Sequence, residues 1–455
     1  MHKRIILLLS LLTSGLMAHA QYTINGRIDG GSGLKVKVGY YRGDKITVFD
    51  SAICNPAGEF RIIINENTGP RQMKLITRNH GVADFFFLQS DLNFSTHTQA
   101  LSDSMAFDGS QPNTTLRAFV RYEQLHQHNM ELLTALLDGY SKNTAFYEQV
   151  KKESIFRQID FEATLNKAII QNEDNLVGKY LLTRRMPRLD PSLDPDGRME
   201  LLRDHLLDVI PGGDSSLIYT HAYTRAAIQY LSLYGNPKYD KKTLETAFIE
   251  GIKRIMDKFQ PYPVVYAHIT EYLLDGFQSF GFENVVQFIS ERFNLEQCDS
   301  GNPGLAERIE ILKKLAPGLE APGIAGKDLN GNSVRLSDYR GKYVLIAFWA
   351  SWCTHCNEIM PKIAEIYNQP GRSGWDVISV AVDTKPSEVK KMVSDNKYLW
   401  RTIADGKGWD TKPALDYGIA ATPTFIFIGP DGKILSKPAT FFEILEELDK
   451  NDLLR

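Results

Sequence analysis

Two cysteines, Cys353 and Cys356, stand closest together in this chain and are the residues best suited to chemistry. They belong to the run WASWCTHC at residues 349–356. A Cys-x-x-Cys pair either supplies half of a zinc site or works as a redox-active dithiol. A structural zinc ion usually needs four close ligands, and the sequence holds no second Cys-x-x-Cys and no His-x-x-His pair. The pair therefore predicts thiol–disulfide exchange without a metal ion or any other cofactor.

The position of the pair indicates how it would react. An apolar run over 343–349 predicts a buried strand and residues 353–367 predict a helix, so Cys353 lies at a helix N-terminus. Unpaired backbone N–H groups and the helix dipole stabilise a thiolate there, and the thiolate is the nucleophile. Cys356 lies one turn later on the same face and can attack the mixed disulfide that Cys353 forms.

His355 stands between the two cysteines. An imidazole beside the thiolate donates a hydrogen bond to it or carries positive charge, which favours the reduced form and makes the disulfide a better oxidant. The alternative is a surface histidine that only ends the turn. We favour the first interpretation because the reactivity of a thiol depends on such neighbours.

Alternating strands and helices surround the pair. A linker rich in Pro and Gly at 317–323 comes first, and the pattern changes after it. The predicted strands are 343–349, 375–382, 424–428 and 433–435, and the predicted helices are 353–367, 387–396 and 441–448. This order predicts an α/β thioredoxin fold for residues 318–455.

Residues 318–455 resemble the TlpA/ResA-like branch of the thioredoxin superfamily, within the broader redoxin group. The stretch GKDLNGNSVRLSDYRG at 326–341 is similar to the segment that precedes the first central strand in that family. Pro361 matches the proline inside the active-site helix, and TPT at 422–424 matches the segment with the family's cis-proline. DGK at 431–433 matches the hairpin turn.

The resemblance implies a site and partners as well as a fold. Pro423 is expected to follow a cis peptide bond against the cysteines, while the backbone of Thr422 pairs with the substrate chain as a short strand. Trp352 and Thr354 are expected to contact the substrate too. The implied substrates are thiols or disulfides of exported proteins, including those of cytochrome complex assembly. The implied redox partner is a membrane protein that transfers thiol reducing equivalents.

Two positions depart from the family pattern. Many relatives have an acidic or amide residue six positions before the first cysteine and a Glu three positions after the second. This chain has Ala347 and Ile359 there, and Glu358 lies on a different helix face. Because such an acid takes the proton of the buried cysteine, its absence bears on the rate of the resolving step. Cys-Thr-His-Cys also differs from the Cys-x-Pro-Cys of many reductants, so reduction, oxidation and isomerisation all stay open.

The rest of the chain predicts two further regions. Short β-prone runs separated by turn residues occupy 21–110 and predict an antiparallel β-sandwich or barrel. The expected strands are 22–28, 36–41, 46–53, 59–64, 72–77 and 83–88. This region is similar to a domain of unknown function that often precedes such redox domains. Residues 111–317 predict an all-α region, in which an apolar stripe over 244–259 is expected to pack in a core.

The first twenty residues have the layout of a secretory signal peptide. A short basic start precedes an apolar run over 5–17, and Ala-His-Ala fits a cleavage site before Gln21. A transmembrane anchor is the alternative, but the run is short for a hydrocarbon layer of about 30 Å. We therefore expect residues 1–20 to be removed and the protein to reside in the periplasm or cell envelope.

Composition limits the possible partners. The chain has 455 residues, 43% of them hydrophobic, and a formal net charge of −3. Because it has no basic surplus, we expect no binding to nucleic acid and no non-specific binding to anionic membranes. Cys54 and Cys298 are expected to be buried inert thiols, with a structural bridge as the alternative. No oligomeric state follows from the sequence.

Three functions are compatible with these observations. We favour an exported oxidoreductase that reduces, oxidises or isomerises disulfides in envelope proteins. A thiol peroxidase needs a lone peroxidatic cysteine with a Thr about one turn before it and a nearby Arg, which a Cys-x-x-Cys after Trp352 does not match. A non-enzymatic binding protein would hold its partner with the N-terminal regions, but the intact cysteines and Thr422-Pro423 argue against an inactive redox domain.

Overall fold

The computed structural model describes residues 21–65, 67–293, 303–371, 373–419 and 421–454. The predicted signal peptide and Cys298 lie outside these residues. The described chain forms two compact units. One contains the residues up to Leu201 together with Val209–Tyr223, and the other contains Leu202–Asp208 together with the residues from Thr224 onward. Within the described ranges, no helix is long and apolar enough to cross a membrane. The domain boundaries suggested by the sequence stay predictions.

The first unit begins with eight β-strands. They are β1 Gln21–Asp29, β2 Lys35–Arg42, β3 Lys45–Ile53, β4 Glu59–Asn65, β5 Arg71–Thr77, β6 Gly81–Phe87, β7 Leu92–His97 and β8 Ala106–Asp108. They form two four-stranded sheets, with strand orders β4-β1-β7-β8 and β3-β2-β5-β6. Side chains from both sheets share one apolar core, so the predicted sandwich is confirmed.

The alternation of buried and exposed residues explains this packing. In β4, Phe60, Ile62 and Ile64 point into the core while the residues between them are exposed, as the two-residue period of a strand requires. The turn before β4 needs Gly58, whose φ is +78° and where a Cβ would lie 2.1 Å from the carbonyl oxygen of Ile28.

Two features of the sandwich differ from the sequence prediction. Strands β7 and β8 were not predicted, although Leu92, Phe94 and Thr96 of β7 alternate inward in a regular way. The pairing of β1 with β7 is parallel, whereas the other pairs within the two sheets are antiparallel. The chain builds β5 and β6 of the second sheet before it returns to β1, which allows β7 to enter in the same direction as β1.

Helices follow the sandwich, as predicted. They are α1 Gln111–Gly139, α2 Ala145–Ile170, α3 Leu176–Leu182, α4 Pro195–His205, α5 Ala222–Ser232, α6 Lys241–Phe259, α7 Pro263–Ser279, α8 Glu283–Arg292 and α9 Pro303–Lys314. In α6, Ile252, Ile255 and Phe259 of the predicted stripe are buried. The side chain of Asp240 accepts a hydrogen bond from the N–H of Thr243 and so caps the start of α6.

The second unit ends in a mixed α/β domain. Its elements are β9 Ala325–Lys327, β10 Ser333–Arg335, β11 Tyr343–Trp349, α10 Thr354–Tyr367, β12 Trp375–Ala381, α11 Pro386–Asp395, β13 Arg401–Ile403, α12 Lys412–Asp416, β14 Thr424–Ile428, β15 Ile434–Ser436 and α13 Phe441–Lys450. Five strands form a sheet in the order β13-β12-β11-β14-β15, and β9 pairs with β10 as a separate hairpin. The predicted thioredoxin-like fold is confirmed.

Strand β11 is the centre of this sheet. It pairs in parallel with β12 and antiparallel with β14. Its alternate side chains enter two different cores, because Leu345, Ala347 and Trp349 pack with α10 and α13 on one face, and the residues between them pack on the opposite face. Such burial on both faces explains the continuous apolar run in the sequence. It also fixes the end of β11, where the cysteine motif begins.

Candidate active site

Cys353 lies at the point where the chain leaves β11 and enters α10. It is the N-cap residue of α10, and its Sγ accepts a hydrogen bond from the backbone N–H of Cys356 at 3.3 Å. The same sulfur lies 3.4 Å from the backbone carbonyl oxygen of Thr422, to which its S–H donates. The side chain is half-buried. Cys353 is therefore reachable from solvent and held by backbone groups on two sides, as a nucleophile requires.

Cys356 lies one turn further and is fully buried. Both cysteines are free, so the structure describes the dithiol form. Burial raises the pKa of Cys356, and the neighbouring sulfur of Cys353 raises it further, while contacts with Ala350 and Thr422 act in the opposite direction. In the dithiol form the buried sulfur is thus kept protonated, which leaves Cys353 as the attacking thiol.

Thr422 and Pro423 lie beside the pair although they are about 70 positions later in the sequence. The peptide bond between them is cis, as the resemblance implies. They directly precede β14, whose antiparallel pairing with β11 brings this loop to the start of α10. The sheet therefore brings the carbonyl group of Thr422 into contact with Cys353.

His355 occupies a different environment from the one expected. Its side chain is 79% exposed, and Nδ1 lies 3.5 Å from Oε2 of Glu358. Among the described residues, the ring makes no hydrogen bond to Cys353. The carboxylate of Glu358 therefore faces the imidazole and offsets part of any positive charge on it, an effect that solvent weakens at this exposure. The tuning role of His355 stays a prediction that needs measurement.

The remaining residues suggested by the sequence lie on the surface around the pair. Thr354 is exposed at the start of α10. Trp352 is exposed too, and its ring centroid lies 6.3 Å from that of Trp409. The sequence analysis did not select Trp409, which belongs to a short 3-10 helix at Gly408–Asp410. Together the two indoles form an exposed aromatic surface next to Cys353.

Asp383 is the polar residue that the sequence analysis missed. It is 2% exposed, and its carboxylate accepts hydrogen bonds from both the backbone N–H and the hydroxyl of Ser351. It follows the end of β12, where Ala381 pairs with Trp349 of β11. Because the carboxyl ends of parallel strands meet at one edge of a sheet, an acid at this position could have been recognised as a neighbour of the motif. Asp383 fixes the loop that carries Trp352 and Cys353.

The core behind the pair is apolar at the two positions where the sequence departs from the pattern of the family that it resembles. Ala347 is fully buried in the same core as Cys356, and Ile359 packs at its edge. Neither side chain is able to exchange a proton with the Cys356 sulfur. The described residues also contain no group of three or more His, Cys, Asp or Glu side chains placed to hold a metal ion.

The geometry supports one chemical sequence. The Cys353 thiolate attacks a disulfide, forms a mixed disulfide with one sulfur and releases the other as a thiolate. The Cys356 thiolate then attacks Sγ of Cys353, so that the internal disulfide forms and the second substrate sulfur leaves. The reverse sequence transfers the disulfide to a substrate dithiol. Which direction prevails is decided by the redox potential of the pair.

Known proteins share this domain. The AhpC/TSA family model matches residues 317–437. The thiol-disulfide oxidoreductase ResA of Bacillus thuringiensis subsp. konkukian is 31% identical over 125 residues, which are 28% of this chain and 70% of the relative. The ResA of Bacillus anthracis is 34% identical over 126 residues, with the same shares.

Solved structures of thiol-disulfide oxidoreductases are also similar in sequence to the C-terminal domain. The thioredoxin domain of a thiol-disulfide oxidoreductase from Bacteroides vulgatus has 33% sequence identity and a TM-score of 0.27, covering 30% of this chain and 98% of that one. The curated relatives match over 70% of their own length at 31–34% identity. Through its C-terminal domain, the chain therefore belongs to the ResA-like family of thiol–disulfide oxidoreductases.

Proposed function

We propose that this protein is an exported thiol–disulfide oxidoreductase that acts on cysteines of envelope proteins. The observation that carries the proposal is the arrangement of the pair, in which Cys353 is reachable from solvent and Cys356 is buried behind it. The basic and apolar start of the chain supports export. The site would exchange disulfides in the periplasm or cell envelope.

A protein substrate suits this site better than a small molecule. The backbone of Thr422 lies beside the Cys353 sulfur, where an extended substrate segment would pair with it. The exposed rings of Trp352 and Trp409 would cover apolar side chains of the same segment. After each turnover, a membrane thiol-transfer protein would restore the starting redox state of the pair. Apocytochrome thiols are one substrate class that this arrangement would accept.

The export proposal predicts a processed chain. When the full gene is expressed in a Gram-negative host, we expect the protein in the envelope fraction with Gln21 as its first residue, because the apolar run is followed by a small-residue cleavage site. Mass spectrometry of the isolated N-terminus measures this directly. A chain that keeps Met1 in the envelope fraction would contradict cleavage, and a chain confined to the cytosol would contradict export.

Peroxide is the control substrate, because a thiol peroxidase is one of the alternatives considered from the sequence. A peroxidase would consume hydrogen peroxide through one reactive cysteine. We expect consumption no faster than that of a Cys353→Ser variant, since the motif contains a resolving cysteine at disulfide-exchange spacing. Insulin disulfides should be reduced in the same preparation when dithiothreitol supplies the electrons.

The direction of exchange is predicted to depend on His355. A positively charged imidazole near the helix N-terminus would stabilise the thiolate of the reduced pair. Stabilising the reduced form raises the reduction potential of the Cys353–Cys356 pair. We expect a wild-type potential between roughly −270 mV, as in thioredoxin, and roughly −120 mV, as in DsbA. His355→Pro should lower it by tens of millivolts, where about 30 mV corresponds to about 1.4 kcal/mol. Equilibration with glutathione buffers measures both values.

Glu358 provides the matched control for this measurement. Its carboxylate lies 3.5 Å from the His355 ring, so Glu358→Gln removes the negative charge that opposes the imidazolium. This variant should raise the potential, opposite in sign to His355→Pro. A wild-type potential at or below that of thioredoxin, unchanged by either substitution, would show that His355 tunes nothing and would favour a reductant.

A further inference from the structure

Tyr398 is a buried residue in the core that covers Cys356, and the exchange chemistry described above does not use it. It follows α11, is 4% exposed, and belongs to the same apolar core as Cys356 and Trp349. Its ring is fixed by an edge-to-face contact with Trp349 at 5.7 Å and by stacking on Trp400 at 4.9 Å. The phenol is therefore held at one position in the core that covers the resolving cysteine.

The hydroxyl of Tyr398 has no hydrogen-bond partner among the described residues. This is unusual, because a buried polar atom without a partner costs free energy. Two other polar groups of the same core are satisfied, since Tyr367 donates to Asp376 at 2.7 Å and Trp400 Nε1 donates to Ser379 at 3.0 Å. Trp349 Nε1, whose ring contacts Tyr398, also has no partner among the described residues. A hydroxyl without a partner has a donor to offer when a thiol of the same core loses its proton.

The Tyr398 hydroxyl and the Cys356 sulfur interact electrostatically. Burial, and to a smaller extent the sulfur of Cys356, together raise the pKa of Tyr398 to about 12. The phenol thus stays protonated and remains a donor at neutral pH. The core at Ala347 and Ile359 offers the Cys356 sulfur no carboxylate. Its unpaired polar groups are neutral donors, the Tyr398 hydroxyl and Trp349 Nε1, and of these the Tyr398 hydroxyl is the one whose pKa the Cys356 sulfur influences.

We propose that the Tyr398 hydroxyl donates a hydrogen bond to the Cys356 thiolate as it forms and so accelerates the resolving step. The proposal rests on the exchange function above and deepens it. In this step Cys356 gives its proton to solvent and attacks Sγ of Cys353. The Cys353–Cys356 bond forms, the bond from Cys353 to the substrate sulfur breaks, and that sulfur leaves with the electron pair and takes up a proton. Tyr398 keeps its own proton throughout.

Removal of the Tyr398 hydroxyl should affect the second of the two exchange steps, in which Cys356 attacks the mixed disulfide. Without the donor, the population of Cys356 thiolate should fall about tenfold or more, since hydrogen bonds to charged groups are among the strong ones. The remaining thiolate is a better nucleophile because its basicity is higher, which offsets part of the loss. Tyr398→Phe should therefore slow the resolving step about three- to tenfold. Attack by Cys353 should keep its rate.

The reagent dithionitrobenzoate separates the two steps in the full mature chain. Cys353 releases one coloured thiolate when it is modified, and Cys356 releases a second when it resolves the mixed disulfide. Cys54 and Cys298 are replaced by Ala and Ser in every variant so that only the pair reacts. Tyr367→Phe is the matched control, because it removes a buried phenol hydroxyl whose partner is Asp376 and not the pair.

Three results decide the proposal. A slower second release in Tyr398→Phe, with an unchanged first release and a wild-type second release in Tyr367→Phe, supports it. A wild-type second release in Tyr398→Phe, or equal slowing in both variants, overturns it. Absence of any release from the unsubstituted pair would instead contradict the exchange function itself. The first release requires an intact site. If Tyr398→Phe failed to fold, the first release would therefore be lost together with the second.

Discussion

Replacement of Cys353 by Ser should reduce disulfide exchange to the level of a blank, because a serine hydroxyl is not ionised near neutral pH and the thiolate is the nucleophile. We expect Cys353 to be the attacking residue, since it is half-buried at the N-cap of α10 while Cys356 is fully buried. Reduction of insulin disulfides in the presence of dithiothreitol is the measurement. Folding of the variant is checked by its thermal transition.

Cys356→Ser should have a different phenotype, although its turnover falls comparably. Cys353 still attacks, but the mixed disulfide has no internal thiol to resolve it. Incubation with a disulfide-containing protein should therefore give one covalent adduct per chain, which reducing agent releases. The control is the double variant, which should give none. Wild-type turnover by Cys356→Ser, or adducts formed by Cys353→Ser instead, would reverse the order of the two residues.

The second large effect is expected at Asp383. Asp383→Ala leaves the backbone N–H and the hydroxyl of Ser351 without their acceptor, and a buried donor left unpaired costs about 1–3 kcal/mol. The loop that ends at Cys353 should then move, and small displacements of reacting groups cost rate. We expect a lower free energy of unfolding in urea and about a tenfold loss of insulin reduction by the folded protein.

Asp328 supplies the control for this prediction. It is buried in the same domain, accepts hydrogen bonds from the backbone N–H groups of Asn330 and Asn332, and pairs with Arg401. None of these partners belongs to the cysteine loop. Asp328→Ala should destabilise the domain to a similar degree while the folded fraction keeps its exchange rate. If both variants lost activity only in proportion to their unfolded fraction, Asp383 would be a stabilising residue without a positioning role.

The sequence alone determined the chemistry and most of the order of elements. The Cys353 and Cys356 pair is recognisable because its geometry depends only on residues that are close in sequence. A separation of three residues places both sulfurs on the first turn of a helix. The apolar run at 343–349 predicted β11 because a strand buried on both faces leaves little choice of side chain. The six predicted strands of the sandwich were found for a similar reason, since turn residues and alternation act over a few residues.

Only the tertiary structure decided what surrounds the pair. Asp383, Tyr398 and Trp409 follow three different elements, and each is an ordinary residue within its own segment of sequence. Their positions depend on which strands are neighbours in the sheet and on how helices cover it. No short-range pattern reports Tyr398 or Trp409, and the one signal for Asp383 is that it directly follows a predicted strand. Likewise β8 has three residues, which are too few to show the alternation of buried and exposed side chains that predicts a strand. Its hydrogen bonds with β7 stabilise it as a strand.

His355 illustrates the same division for electrostatics. Its place in the sequence next to both cysteines suggested a direct contact with the thiolate, because adjacent residues are close along the chain. On a helix, however, neighbours in sequence point in different directions, and residues three apart share a face. His355 therefore lies against Glu358, while Cys356 turns inward toward Tyr398 and the apolar core. The sequence identified the reacting atoms, and packing decided which groups act on them.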